Sequence, residues 1–551
     1  MKKHLTMLLA LLLVVAVAAP ALAAVEFKYG GQFRTRWVVE DNKYDGTDGR
    51  DQLYRDELGW YLAPDGKNYD DNRNLIDTRL RLYFSFIASQ NLKVVTKLEM
   101  GDSYWGDPSP IGTTGNSKYS TGGRVGADAV NVELKNAYVE FNIPMTPSTA
   151  IVGIQTLSLL DSWIIDDDFS AAVIKTKLDP VSVTVGYVSG QNGPVAFTGD
   201  LAFTDYSRRI DDFFLSIDYK HGPFKASLIG FYQYGHDTNV SFDPNTLFTP
   251  AGVVGSRSSS FLSRTPWLVG DEILYSGFEV QDNNLFDLGF NVSYKIDYLS
   301  AYVNFVKNLG SVDLHNPFTG AKVASADYTG WMVDAGVSYY CGPYTLNLGG
   351  FYTTGPDLTD RPADFEYASA FSLKDSDITW FTYPLATAKY FSEIIGGGIL
   401  GDDRYAYRGY PGGAGQSQSQ ADNIYWRGYG FPTNLWTITA GAAWQVAEKT
   451  KISASYWYFG TAESVPTKFN PIFNRDGDII GGDFSMSNSI GHELNLYIDQ
   501  GIVDGLNLTL VGAYLFANDA FAPVPTRESW RYIENYASDA YEVGARLQWN
   551  F

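Results

Sequence analysis

The chain has 551 residues, with 41 basic against 62 acidic side chains, a formal charge of −21, 15% aromatic residues and one cysteine. That charge argues against a nucleic-acid partner. The lone Cys341 excludes an intrachain disulfide framework, a thiolate zinc site and covalent c-type haem.

The chain opens MKKHLTMLLALLLVVAVAAPALA. Lys2 and Lys3 form a basic start, residues 8–19 an apolar run, and Ala21-Leu22-Ala23 a small-residue cleavage pattern. This predicts a signal peptide over 1–23 and a single domain over 24–551. No later apolar run is long enough for a membrane-spanning helix.

Residues 30–37, GGQFRTRW, set Phe33, Thr35 and Trp37 on one strand face and Gln32, Arg34 and Arg36 on the other. The same two-residue alternation recurs throughout. It predicts strands near 25–40, 75–90, 91–103, 130–143, 148–160, 169–179, 180–191, 209–221 and 223–236. The series continues at 284–297, 298–310, 328–341, 343–355, 435–447, 449–462, 489–500, 505–518 and 540–551. Phase is ambiguous in the fourth and ninth strands, where a bulge would account for it. Cys341 closes the twelfth strand and reads as a buried thiol.

Tight joins such as Gln90-Asn91, Asp179-Pro180, Gly342-Pro343 and Glu448-Lys449 alternate with long loops at 41–74, 104–129, 237–283, 356–434 and 463–488. Sorting of short turns to one end and long loops to the other is the pattern of an outer-membrane barrel. The expected fold is all-β, a transmembrane antiparallel β-barrel of eighteen strands, with sixteen as the alternative count. Its short turns would be periplasmic. An arginine facing lipid at the midplane would cost about 2–4 kcal/mol, so Arg34 and Arg36 should face the lumen and Phe33 and Trp37 the lipid.

The last strand alternates Tyr541, Val543, Ala545, Leu547, Trp549 and Phe551 against Glu542, Gly544, Arg546 and Gln548. It resembles the C-terminal strand of bacterial outer-membrane proteins, which implies recognition by the barrel-assembly machinery through Phe551. The strand number, the arginine-rich opening strands and the hairpin GHELNLYIDQGIVDGLNLTLVGAYLFA (491–517) resemble the alginate-export and OprD-like porins. That resemblance implies a pore narrowed by inward loops, a setting of outer-membrane lipid and lipopolysaccharide, and a monomer or trimer. The resemblance carries no solute; the expected mechanism is passive diffusion of small hydrophilic solutes, anionic by the lumen charges or saccharide by the aromatic residues of the long loop.

From the register, Arg34, Arg36, Arg79, Arg81, Lys93 and Lys97 point inward on neighbouring strands as one basic ladder, and Lys28 joins them. Lys175, Lys177, Lys220, Lys295, Lys451 and Arg546 face inward elsewhere. Carboxylates such as Asp77, Glu99, Asp218 and Asp287 face inward with them. Selection of anions and cross-strand charge pairing are the two readings of this wall. The long loop 356–434, with its glycine runs and aromatic residues, is expected either to fold into the lumen or to cap the surface.

Asp476 and Asp478, in Asn474-Arg475-Asp476-Gly477-Asp478, give a partial calcium-loop pattern that lacks the downstream Glu, so a turn is the simpler account and no cofactor is expected. The five histidines are scattered and no GxSxG occurs, so no enzyme is expected. The alternative to a channel is a structural or partner-binding barrel, a cytochrome conduit or an adhesin.

Overall fold

The computed structural model describes residues 25–42, 47–56, 59–64, 72–106, 132–192, 209–236, 267–269, 272–274, 279–315, 322–355, 371–372, 377–385, 387, 389–400, 431–475, 479–522 and 532–551. The signal-peptide reading of 1–23 therefore lies outside the described residues.

Eighteen strands make a closed wall. They are β1 (Glu26–Asp41), β2 (Arg73–Ser89), β3 (Leu92–Tyr104), β4 (Val132–Asn142), β5 (Ser148–Leu159) and β6 (Ile165–Leu178). Next come β7 (Val181–Asn192), β8 (Arg209–His221), β9 (Phe224–His236), β10 (Glu279–Ile296), β11 (Leu299–His315) and β12 (Trp331–Cys341). The circuit finishes with β13 (Tyr344–Thr353), β14 (Trp436–Ala447), β15 (Thr450–Phe473), β16 (Ile479–Val503), β17 (Leu506–Ala517) and β18 (Ala540–Asn550). Each pairs antiparallel with the next, and β18 returns to β1 from Gln32 opposite Asn550 to Asp41 opposite Tyr541. Every expected strand is present, because period-two alternation survives wherever one face meets hydrocarbon and the other does not.

Burial follows that alternation. On β8, Phe213, Leu215 and Ile217 are 39–48% exposed, while Asp212, Phe214 and Ser216 between them are at most 6% exposed. On β1, Trp37 is exposed and Arg34 and Arg36 are buried inside. An apolar exterior of this extent is foreign to a soluble surface and natural to a lipid-facing belt. Aromatic pairs mark its two edges: Tyr344 stacks on Trp444 near the short turns, and Trp331 on Tyr352 near the long loops. This is an outer-membrane type of barrel.

The β1–β18 seam depends on one glycine. The amide of Gly31 donates to the Phe551 carbonyl at 2.9 Å, and the Phe551 amide donates back at 3.0 Å. A Cβ on Gly31 would lie 2.4 Å from the Phe551 ring, so only glycine lets that ring lie over the seam.

Two expected loops prove to hold strand. β15 and β16 run 24 and 25 residues, well into the expected loop 463–488. The expected loop 41–74 contains strands Thr47–Asp56 and Gly59–Pro64, which pair with each other, and the first also pairs with Tyr532–Ala537. Pro466 and the register shifts between Gly460 and Lys468 disturb the alternation on which the earlier end of β15 rested.

The wall is also incomplete at one place. β5 pairs with β4 only as far as Ile154 opposite Ala137, and β6 pairs with β7 only from Ala171 opposite Val188. Between these points, residues 155–170 pair solely with one another. The hairpin leaves the wall at Gly153, whose φ of +131° and close approach to the Ala137 carbonyl no side chain would allow. It folds into the lumen.

The lumen consequently contains an apolar core. Inner-face residues Phe214, Phe231, Phe351 and Phe459 join Trp163 and Ile164 of the hairpin and Phe381, Tyr383, Ile394 and Ile395 of residues 377–400 in one cluster. A wet lumen was expected, with loop 356–434 either folded into it or capping it. Two inserted segments give these strands an apolar surface to cover instead.

Candidate functional site

The hairpin tip and residues 377–400 meet over β10–β12. Leu160, Asp161 and Ser162 hold φ of +52° to +68°, a left-handed run without glycine that is strained unless its surroundings enforce it. Here they do. Asn304 of β11 donates to Asp161 Oδ2 at 3.0 Å, Trp163 Nε1 donates to Asp334 Oδ2 at 2.8 Å, and Lys389 Nζ donates to the Asp161 carbonyl at 2.9 Å. Lys389 also lies over the Trp163 ring and pairs with Asp334 at 3.4 Å. Thr387 Oγ1 donates to the Ser162 carbonyl.

Residues 377–400 then cross the inner face. Gln233 of β9 donates to the Pro384 carbonyl, and Asn308 of β11 both donates to the Thr382 carbonyl and accepts from its amide. Farther along, fully buried Glu493 of β16 accepts from Ser392 Oγ at 3.0 Å and from the amides of Ile394 and Ile395 at 2.9 and 3.1 Å. Glu393 turns back to accept the Ile399 and Leu400 amides. The segment ends against β1, where Arg36 donates to the Leu400 carbonyl at 3.0 Å.

Each ladder residue has a distinct position. Arg36 is 1% exposed and grips Asp77 with its Nε and Nη2, the latter at 2.6 Å. Arg34 reaches Asp77 at 3.8 Å and is also buried. Arg81 pairs with Glu99, and Lys93 with Glu140 at 2.9 Å. Arg79 stands opposite Arg34 in the register and donates to Gln32 Oε1 at 3.3 Å. Among the described residues neither Arg79 nor Lys97 has a carboxylate within 4.0 Å, although Lys97 lies in the field of Asp168 and Glu99. The ladder thus divides. Its upper arginines brace the wall and the inserted segment, while Arg79 and Lys97 keep charge that no carboxylate contact cancels.

Sequence reasoning missed several neighbours. Lys135 of β4 lies 3.9 Å from Glu99 and pairs with Glu133 at 3.0 Å. Asn136 of β4 donates to Asp168 Oδ1, as does Thr156, so the hairpin's acidic run faces the same region as the ladder. The expected bulge near the fourth strand exists, as a register shift at Lys97/Leu98. It flips the parity that would have exposed these residues.

One further expectation changes. Cys341 is exposed, not buried: it closes β12 on the outward parity of Val333, Val337 and Tyr339, opposite Tyr344 at the short-turn rim. Asp476 and Asp478 lie outside the described residues, and no cluster of metal-ligating side chains occurs among those described.

No protein-family model and no curated protein matches the sequence. Among solved structures, the chain is similar to Pseudomonas aeruginosa OccK8 (OprE), with 9% identity and a TM-score of 0.42, covering 96% of this chain and 98% of that one. It is similar to Pseudomonas aeruginosa OccK11 (OpdR) at 11% identity and a TM-score of 0.41, covering 95% and 96%. The outer membrane protein OpdK from Pseudomonas aeruginosa matches at 8% identity and a TM-score of 0.42, covering 95% and 98%.

Proposed function

We propose that the chain is an outer-membrane channel for passive diffusion of small hydrophilic solutes, with a preference for anions. Transit runs along the β2–β4 side of the lumen, since the apolar cluster of the hairpin and residues 377–400 covers the inner face from β6 round to β18 and Leu400 closes against β1. The observation that carries the preference is the pair Arg79 and Lys97, charges on the inner wall without a carboxylate in contact among the described residues, beside arginines already committed to Asp77. In a narrow passage with low-dielectric walls, such charges focus the field on the solute.

Planar-bilayer recording in a KCl gradient tests this. The wild-type chain should give unitary currents with a reversal potential of anion sign, and Arg79→Gln with Lys97→Gln should move it toward zero. A reversal potential that the double variant leaves in place removes the anion assignment.

The apolar cluster also favours a second reading, a closed structural barrel. The absence of any unitary conductance from heat-modifiable, folded protein would establish it.

A further inference from the structure

The short-turn rim carries an arc of lysines that the ladder does not explain. Lys175 and Lys177 of β6, Lys220 of β8, Lys225 of β9 and Lys295 of β10 all lie on the inner parity within a few residues of the turns, and all are exposed. Lys220 stands directly opposite Lys225 in the register. Like charges so placed repel across about 5 Å.

The fold neutralises lysines at this rim elsewhere. Lys28 pairs with Glu26 at 3.2 Å, Lys93 with Glu140 at 2.9 Å, Lys451 with Asp499 at 3.2 Å and Lys449 with Asp504 at 3.5 Å. On the β6–β10 arc none of the five has a carboxylate within 4.0 Å among the described residues. Of the carboxylates on this arc, Asp218 is taken up by Ser227 Oγ at 2.6 Å and Ser216 Oγ at 3.2 Å, and Asp179 and Asp297 lie in the turns without reaching any of the five lysines. Five positive charges therefore share one arc with three acids, none of them in contact with a lysine.

We propose that this arc is a second binding site, for a small anion carrying two or more phosphate or carboxylate groups. Neighbouring strands are about 4.8 Å apart, so Lys220, Lys225 and Lys295 fall within about 10 Å. A diphosphate or a tricarboxylate spans that distance, while a singly charged anion engages one ammonium at a time. Lysine ammonium groups bind such ligands as mobile point charges. Short turns face the periplasm in barrels of this kind, so the site lies where a solute meets or leaves that compartment. Its part in transport rests on the anion-channel reading; its binding of the anion does not.

The test is calorimetric titration of the full chain in detergent at low salt with pyrophosphate, citrate and acetate. Pyrophosphate and citrate should bind and acetate should not, and the relative strength of the first two separates phosphate from carboxylate as the preferred group. Lys220→Gln with Lys225→Gln should weaken binding at least tenfold. Lys449→Gln with Lys451→Gln removes the same charge from the same rim and should change it less than twofold. All four positions are exposed, and heat-modifiable migration on gels verifies that each variant folds. No binding beyond that of acetate, or equal loss from both double variants, overturns the site. Anion conduction without pyrophosphate or citrate binding leaves the channel and removes the site, whereas binding without conduction does the reverse.

Discussion

Arg36 Nη1 donates to the backbone carbonyl of Leu400 at 3.0 Å, joining the first wall strand to a segment inserted 364 residues later. The same guanidinium grips Asp77 from its other edge, so one buried side chain serves both wall and insert.

Arg36→Ala should therefore destabilise the barrel by about 3–5 kcal/mol, because it leaves the Asp77 carboxylate, itself 1% exposed, without its hydrogen-bonded partner and with only Arg34 at 3.8 Å. Urea unfolding in detergent measures this. Adding Asp77→Ala should recover part of the loss; a double variant no more stable than Arg36→Ala would locate the penalty elsewhere.

Glu493→Ala should release residues 392–395 from β16. Three buried donors lose their acceptor, each at a cost of about 1–3 kcal/mol. The expected readout is a larger, noisier unitary current with little change in the wall's unfolding midpoint. Glu493→Gln, which keeps one acceptor oxygen, should fall between. Quiet currents of wild-type size from Glu493→Ala would mean that the segment is held by its apolar contacts.

Trp163→Ala empties the largest fully buried side chain among the described residues, which packs edge-on to Phe351 at 5.2 Å. A loss of about 3–5 kcal/mol is expected. The left-handed run 160–162 should then relax, and cross-linking between cysteines placed at 162 and 387 should decline. Undiminished cross-linking would show that Asn304 and Lys389 suffice to hold the tip.

Gly31→Ala puts a methyl group into the Phe551 ring at the seam. The variant should unfold at lower temperature in heat-modifiability assays. Combining it with Phe551→Ala should restore only part of the shift, since the ring collision is relieved while the 2.7 Å approach to the Arg81 carbonyl remains. A Gly31→Ala barrel as heat-resistant as wild type would show that the ring moves aside freely.

The wall was legible because its pattern is enforced locally: at Phe286, Leu288, Phe290 and Val292, one side of the strand touches lipid and the parity announces it. The inserted hairpin was not legible. Residues 155–159 continue to alternate after leaving the wall, and what turns them inward is Gly153 together with contacts to Asn304, Asp334 and Lys389. The ninth strand lost its phase for a related reason: its inner face offers Ile229 and Phe231 to the lumen core, so both faces are apolar. Inward Lys225 was hidden with it. The ladder's charges were readable from parity alone. Their division into bracing and uncancelled members was not, because it depends on Asp77, on Glu140 of the ambiguous fourth strand and on Leu400.

The seam between β1 and β18 joins partners such as Gln32 and Asn550, separated by 518 positions. Contacts of such long range form slowly, and until they do two edges with unmet amides and carbonyls stay open to any passing strand. A polypeptide built this way cannot finish folding piecemeal during synthesis. Its open edges should therefore make its abundance respond to periplasmic holdase capacity before it responds to the strength of any contact inside the finished barrel.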